Sequence, residues 1–186
     1  AVTPAVFSRG AKEDGRIGGY ARTLKTQFGV DTVIIEHDAV DISSSQLRGM
    51  LAHRQGSDFL TDVVYEYIIN NKLYGAKADF DWLRVQAYTM LKTRRILHVA
   101  GCEAEAVRLA RHWKADEAEA REAAILHDIT KQLEMPDQLQ LCGKYDIMTD
   151  AVESDEVKLL HAKTGAALAR KLFGASDAVH DAIMWH

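Results

Sequence analysis

Four histidines, one of them followed directly by an aspartate, punctuate the second half of the chain as His98, His127-Asp128, His161 and His186, each on a separate helical stretch. Neutral imidazole and carboxylate are the usual ligands of borderline transition metals, and ligands carried by different helices converge only in the core of a helical bundle. If the set acts together, the chain around it has to fold as helices. Taken singly, each histidine is as well explained as a satisfied core or surface residue; four at helix-compatible positions, beside a carboxylate, are not.

Helical spacing separates inward-facing from solvated histidines, because residues three, four and seven apart share a face. His161 shares its stripe with Val157, Leu160, Thr164, Gly165, Leu168 and Leu172, which turns it inward. His186 is in line with Val179, Ala182 and Ile183, while His127 follows the small residues Ala120, Ala123 and Ala124, where a neighbouring helix can come close. The face of His98 is mixed, with Leu91, Arg95 and Cys102, as expected of a helix that borders both a core and a cleft. His37, His53, His112 and His180 lack such company and read as solvated.

The periodicity changes along the chain. Up to about residue 40, short apolar runs alternate with a polar helix: Val2 to Ser8, Ile17 to Phe28, then Thr32-Val33-Ile34-Ile35. Strand, helix and strand in that order suit a parallel α/β layer, in which runs rich in Val and Ile are buried on both faces. Asp41-Ile42-Ser43-Ser44-Ser45 then offers serine N-caps to a helix through Leu47 and Leu51, and a second helix is expected over about Phe59 to Asn70. Gly75 and the polar stretch Lys77 to Asp81 mark the expected domain boundary. From Trp82 onward no strand is expected. One or two helices cover Trp82 to Trp113, followed by Glu117 to Asp128, Pro136 to Lys144, Ser154 to Phe173 and Asp177 to His186. Gly174 suits a helix C-terminus, and Ser176 or Asp177 the next N-cap. The expected fold class is α+β overall, with a partial α/β segment over 1–76 followed by an all-α helical bundle over 82–186.

Composition excludes several alternatives. The chain has 186 residues, 47% hydrophobic and 27% charged, with a net charge of -4. That is an ordinary globular balance, with room for one core or two small ones and no call for a nucleic-acid partner. Cys102 and Cys142 have neither C-x-x-C nor secreted-scaffold spacing and fit a reducing cytoplasm as small apolar residues. No apolar run approaches the ~20 residues of a membrane span, and the amino terminus lacks signal-peptide order, so a cytoplasmic location without membrane contact is expected. The chain opens with Ala1 and enters a strand-like run at once, which reads as a start within a larger protein. Trp82, Tyr88 and Trp113 offer an aromatic contact surface for a homodimer.

Charge carries the step from ligands to reaction. One or two divalent ions held by three or four nitrogens and a shared carboxylate lower the pKa of bound water and polarise a phosphoryl oxygen, which suits hydrolysis of a phosphate ester or anhydride. Asp128 and Lys131 are the candidate catalytic residues. Asp128 orients the nucleophile, and Lys131, on the same helical side, holds a phosphate oxygen. Arg94 and Arg95, one turn before His98, are candidates for the same work at the rim, although a solvated basic helix end explains Arg94 equally well.

The stretches Arg94-Arg95-Ile96-Leu97-His98-Val99, Ala123-Ala124-Ile125-Leu126-His127-Asp128-Ile129-Thr130-Lys131, Leu160-His161-Ala162-Lys163-Thr164-Gly165-Ala166 and Asp181-Ala182-Ile183-Met184-Trp185-His186 resemble the HD-domain phosphohydrolases, above all their YqeK branch. The resemblance covers about residues 82 to 186, with four motifs in family order. It implies a helical bundle with a dinuclear metal centre, commonly iron, with manganese or magnesium as alternatives, that hydrolyses diadenosine tetraphosphate symmetrically to two ADP. By position, it implies His98, His127, Asp128, His161 and His186 as metal ligands. The family pattern has a further metal-binding aspartate in an Ala-Asp-x-Ile-Glu-Pro-like segment beyond the last histidine, whereas this sequence stops at His186 and so reads as a fragment.

A second resemblance lies in the first half. Ile42-Ser43-Ser44-Ser45-Gln46-Leu47-Arg48 resembles the I-S-S-T-x-I-R motif of the NadD-like nicotinate-nucleotide adenylyltransferases, and Val63-Val64-Tyr65-Glu66-Tyr67-Ile68 through Lys72-Leu73-Tyr74-Gly75 resembles their carboxyl-terminal helix. That implies a Rossmann-like nucleotidyltransferase segment over 1–76 in which Ser44, Ser45 and Arg48 bind ATP phosphates at a helix amino end. The parent protein would then serve NAD biosynthesis by adenylyl transfer from ATP to nicotinate mononucleotide. The family's amino-terminal Gly- and His-rich motif is not in this sequence, so the chain reads as a segment cut across a fusion of the two families. A third alternative makes the helical half a non-catalytic nucleotide- or metal-sensing module.

Overall fold

The computed structural model of the protein describes residues 3–7, 11–35, 40 and 42–186, the side chains of 11–14, 154 and 155 excepted. The chain divides into two compact units, Ala1–Leu47 and Arg48–His186. In the first, strand β1 (Ala5–Val6), helix α1 (Ala11–Phe28) and strand β2 (Val33–Ile34) follow in the expected order. The strands pair in parallel, Ala5 opposite Val33 and Val6 opposite Ile34. Gly29, at φ 66°, ends α1 in the left-handed conformation that favours glycine, and its N–H returns to Lys25 O at 3.1 Å.

The expected burial of these strands does not follow, since Val33 and Ile34 are 52% and 47% exposed. Two-residue strands present too little surface to seat a second layer. Among the described residues, the Rossmann-like α/β segment expected over 1–76 therefore reduces to one β-α-β unit. Ser8, expected in the first strand, His37, expected in solvent, and Asp41, expected before the next helix, lie outside the described residues.

Helix α2 (Ser44–Ala52) starts where the serine run predicts. Ser43 Oγ accepts the Gln46 N–H at 3.2 Å and Gln46 Oε1 accepts the Ser43 N–H at 2.8 Å, a reciprocal cap that satisfies two end donors. Next come α3 (Asp62–Asn70), α4 (Phe80–Thr89), α5 (Thr93–Trp113), α6 (Glu117–Leu126), α7 (Met135–Lys144), α8 (Ala151–Asp155), α9 (Val157–Phe173) and α10 (Asp177–Met184). The absence of strands after Trp82 holds among the described residues. Asp116 caps α6 by accepting the Ala118 and Glu119 N–H groups at 2.8 and 2.9 Å, Gly174 ends α9 at φ 66°, and Ser176 caps α10.

The division between the units falls inside α2, so the Gly75 to Asp81 stretch is a connection within one core rather than a boundary. Leu51, Tyr65, Ile68 and Ile69 are all buried, α3 lies on α9, and the half-buried Arg54 pairs with the buried Glu122 of α6 while donating to Ala78 O at 2.7 Å. Trp82, expected at a dimer surface, is instead packed edge-on between Tyr65 and Phe173, with ring centroids 5.3 and 5.9 Å away. Trp113 stays exposed.

Helix α6 is the centre of this unit, touching α4, α5, α9 and α10. Its small face, Ala123 and Ala124 with Ile125 and Leu126 beside them, is buried, which lets neighbouring helices approach its carboxyl end. Full burial of Ile125 and Leu126 contributes roughly 1.5–3 kcal/mol each. Among the described residues, no helix is long and apolar enough to cross a membrane.

Candidate metal centre

The turn after α6 carries the centre. The sequence pattern extends this helix to Asp128, but it stops at Leu126, and residues 127–132 continue as tight turns. These are closed by the Ile129 N–H to Leu126 O (3.3 Å), the Lys131 N–H to Asp128 O (2.9 Å) and the Leu133 N–H to Thr130 O (3.0 Å). The His-Asp pair thus lies on a strongly hydrogen-bonded turn, between helices, rather than on a helix face.

Three histidines are oriented in one way. His127 Nδ1 lies 2.8 Å from Ala124 O, His161 Nδ1 2.5 Å from Lys158 O, and His186 Nδ1 2.6 Å from Ile183 O, each a carbonyl three residues back. A carbonyl only accepts, so each Nδ1 carries the proton, and the neutral ring keeps its lone pair on Nε2, where that of His161 faces the Lys131 ammonium at 2.8 Å. Such a backbone tie is what fixes tautomer and ring direction at metal-binding histidines.

Those Nε2 atoms converge on Asp128. His127 Nε2 is 3.2 Å and His98 Nε2 3.8 Å from Oδ2, and His161 Nε2 is 3.6 Å from Oδ1. His161 Nε2 is 3.1 Å from His186 Nε2, and the donor atoms of His127, Asp128 and His186 all lie within 4.8 Å of one another. Bonds of about 2.0–2.2 Å from one ion to nitrogen and oxygen put neighbouring donors roughly 3.0–3.5 Å apart. The observed spacings are close to that. Asp128 is 1% exposed, yet its Oδ1 has no hydrogen-bond partner. A buried unpartnered polar atom costs about 1–3 kcal/mol, more when it is charged. Two facing lone pairs and an orphaned carboxylate oxygen fit a bound cation.

The electrostatics favour the ligand forms. Burial opposes ionisation of Asp128, but the hydrogen bond and charge of the Arg95 guanidinium, 2.6 Å from Oδ2 through Nε, hold the carboxyl well below the usual range. Burial, reinforced by Lys131 and His186, pushes His161 down to about 4 against the pull of the Lys158 carbonyl, so the ring is neutral at neutral pH. Burial, then Arg95, also lowers His98, and burial lowers Lys131, whose Nζ lies 2.8 Å from His161 Nε2.

Two hollows meet at His98. Lys92, Arg94, Arg95 and Lys131 line a basic cleft of about 370 Å³ on one side. On the other, Ala123, Ala124 and Ala182 with His127 and His186 line an apolar hollow of about 520 Å³. The structure therefore brings together His98, His127, Asp128, His161, His186, Lys131 and Arg95, with Arg94 exposed at the rim and Arg95 committed to Asp128. His53 is exposed, His112 meets Trp113 edge-on and the half-buried His180 pairs with Asp181, and none joins the centre. Ser44 and Ser45 are exposed in the first turn of α2, and the Arg48 guanidinium sits 5.5 Å from the Tyr74 ring centroid.

Two features escaped the sequence reading. Cys102, taken there as a small apolar residue, has its Sγ 3.5 Å from His98 Nε2; its i,i+4 spacing was the visible signal. A buried hydroxyl and amide network also supports His161. Thr130 Oγ1 donates to His161 O at 2.9 Å, Gln138 Nε2 donates to Thr130 O at 2.7 Å, and Thr164 Oγ1 reaches Gln138 Oε1 at 2.5 Å. Gly165 lies against this turn, where a Cβ on it would come into contact, at 3.4 Å, with both His127 O and Thr130 Oγ1.

Residues 95–186 match the family model of the HD domain. Neither a curated protein nor a solved structure matches the chain, and no match supports an adenylyltransferase relationship for its first half. Residues 95–186, which contain the whole histidine-aspartate centre, are therefore an HD domain, consistent with the metal-dependent phosphohydrolase superfamily.

Proposed function

We propose that the helical half hydrolyses a nucleotide phosphoanhydride, with symmetrical cleavage of diadenosine tetraphosphate to two ADP as the substrate reading that the YqeK resemblance implies. In this reading His98, His127, Asp128, His161 and His186 hold a dinuclear divalent centre, iron first and manganese or magnesium next. The observation that carries it is the buried, unpartnered Asp128 Oδ1 among four imidazole nitrogens. A cation bound there supplies a water of lowered pKa and a Lewis acid for the phosphoryl oxygen.

The chain's own residues do the rest. Asp128, held well below the usual carboxylate range, is too weak a base to keep a proton and acts by orienting the attacking water. Lys131, beside His161 and lining the basic cleft, balances the charge that grows on the phosphoryl oxygens. Arg95 holds Asp128 Oδ2 and lines the same cleft, where its guanidinium would meet a phosphate oxygen; Arg94 would meet more distant phosphates at the rim. Water adds to one phosphorus, the bridging P–O bond breaks, and two ADP leave. The alanine-lined hollow offers an apolar wall to a base. The cytoplasm and a homodimer belong to the same reading.

Purified chain incubated with diadenosine tetraphosphate, and with ATP and a cyclic dinucleotide as comparators, tests this. Metal-dependent ADP release lost in the His127→Ala, Asp128→Ala double variant is expected. Metal binding without turnover of any nucleotide would instead favour the sensing role.

A second reading takes residues 1–76 as the carboxyl-terminal part of a nucleotidyltransferase-like protein whose last stretch, 48–76, packs in the same unit as the HD-type helices of 82–186. The parallel β1-α1-β2 order and the Ser43-capped start of α2, with Ser44, Ser45 and Arg48 in its first turns for ATP phosphates, favour it. Adenylyl transfer from ATP to nicotinate mononucleotide by the parent protein, lost on Arg48→Ala, is the test.

A further inference from the structure

We propose that Cys102 gives the centre a second, thiolate-containing cation position, formed with His98 and His127, that takes a thiophilic divalent ion such as zinc or cadmium. The inference rests on the reading of those two histidines as metal-binding residues. Donor atoms of His98, Cys102 and His127 all lie within 4.8 Å of one another. One ion bonded at about 2.3 Å to sulfur and about 2.0–2.1 Å to nitrogen, at a tetrahedral angle, puts those two donors roughly 3.5–3.6 Å apart. Cys102 Sγ and His98 Nε2 are 3.5 Å apart. Both side chains project from α5, an uninterrupted helix, four residues apart, so this edge of the site is preformed.

Access and selectivity follow from the surroundings. Cys102 is half-buried and opens on the apolar hollow beside Ala106 and Ala120, so an ion reaches it without parting the core. The other cysteine, Cys142, is buried, and burial raises its thiol pKa. Thiolate is a soft ligand that favours zinc and cadmium, whereas the carboxylate of Asp128 suits harder ions. As the sulfur–metal bond forms, the S–H bond breaks and its proton leaves to solvent.

The two positions compete. Each neutral imidazole offers one lone pair, and His127 Nδ1 is already bound to Ala124 O. An ion that takes His98 and His127 with Cys102 removes two nitrogens from the set around Asp128. A thiophilic ion therefore inhibits the centre by drawing its ligands aside.

Cobalt titrated into the full chain, followed by absorption, separates the possibilities. A thiolate-to-cobalt charge-transfer band in the near ultraviolet is expected alongside the weak visible d–d bands. It disappears in Cys102→Ala and Cys102→Ser and persists in Cys142→Ala. The cadmium concentration that halves hydrolysis rises about 10- to 100-fold in Cys102→Ala. Visible bands without charge transfer, or charge transfer that survives in both Cys102 variants, would overturn the thiolate position while leaving the Asp128 centre standing. No cobalt bands at all would overturn both.

Discussion

Two buried polar groups lie within a turn of each other and are finished differently. Thr130, Gln138 and Thr164 are fully buried, and each meets partners within the protein, down to the Thr130 hydroxyl on the His161 carbonyl. Asp128, equally buried, keeps Oδ1 with no partner, while the Nε2 atoms of His161 and His186 face each other beside it at 3.1 Å. A complete network serves the fold, because partnered polar atoms cost little to bury and fix one packing. An incomplete one of matched acceptors is stable only with a positive charge among them, which Arg95 supplies in part. The first region holds the second in position; the second is where chemistry is available.

That contrast breaks most sharply on Asp128. Asp128→Ala is expected to lower hydrolysis by about 100-fold or more, as loss of a carboxylate that both binds metal and orients water does. Initial rates at saturating metal check it, and a variant within a few-fold of the parent would contradict the role.

The next largest effect is on pH. Folded His161 has a pKa of about 4 against 6.5 for the ordinary ring. Between those values the unfolded chain takes up a proton that the folded chain refuses, so stability is complete above about 6.5 and falls as the pH drops toward 4. For the metal-free protein the loss is on the order of 3 kcal/mol. Urea midpoints at pH 7.5, 5.5 and 4.5 measure it, and a flat profile would mean that His161 is not held neutral by its surroundings.

Thr164→Val sharpens the other side. It strands Gln138 Oε1 and loosens Thr130, for about 1–3 kcal/mol of stability, with metal content unchanged. Loss of metal with little loss of stability would reverse the roles assigned to the two regions. The smallest effect belongs to His112→Ala, exposed and outside both, where stability should stay within about 0.5 kcal/mol and hydrolysis should not change.

The helices and the centre were legible for different reasons. Caps and stripes are local, so Ser43, Gly174 and Ser176 mark their helix ends, and the stripe through Leu160 and Thr164 turns His161 inward, as observed. The convergence of His98, His127, His161 and His186 was readable because four separate helices that each carry or end beside one histidine have few ways to pack. What spacing could not show depends on longer-range contacts. The His-Asp pair leaves α6 for a turn because Nδ1 and N–H groups find carbonyls three residues back, a choice no apolar pattern encodes. Residues 48–76 join the helical unit through Tyr65 on Trp82 and Arg54 on Glu122, partners up to 68 positions apart. The strands of the first unit fit the expected order yet lack the expected cover, because alternation and β-branching say nothing about what lies opposite.

The most direct test of the central claim is metal content. Elemental analysis of the full chain after equilibration with iron or manganese and gel filtration is set beside Asp128→Asn, which keeps shape but removes the charge. At least one ion per chain is expected in the parent, and its loss in the variant. Equal metal in both, or none in the parent, would contradict the reading of Asp128 and its four histidines as a metal centre.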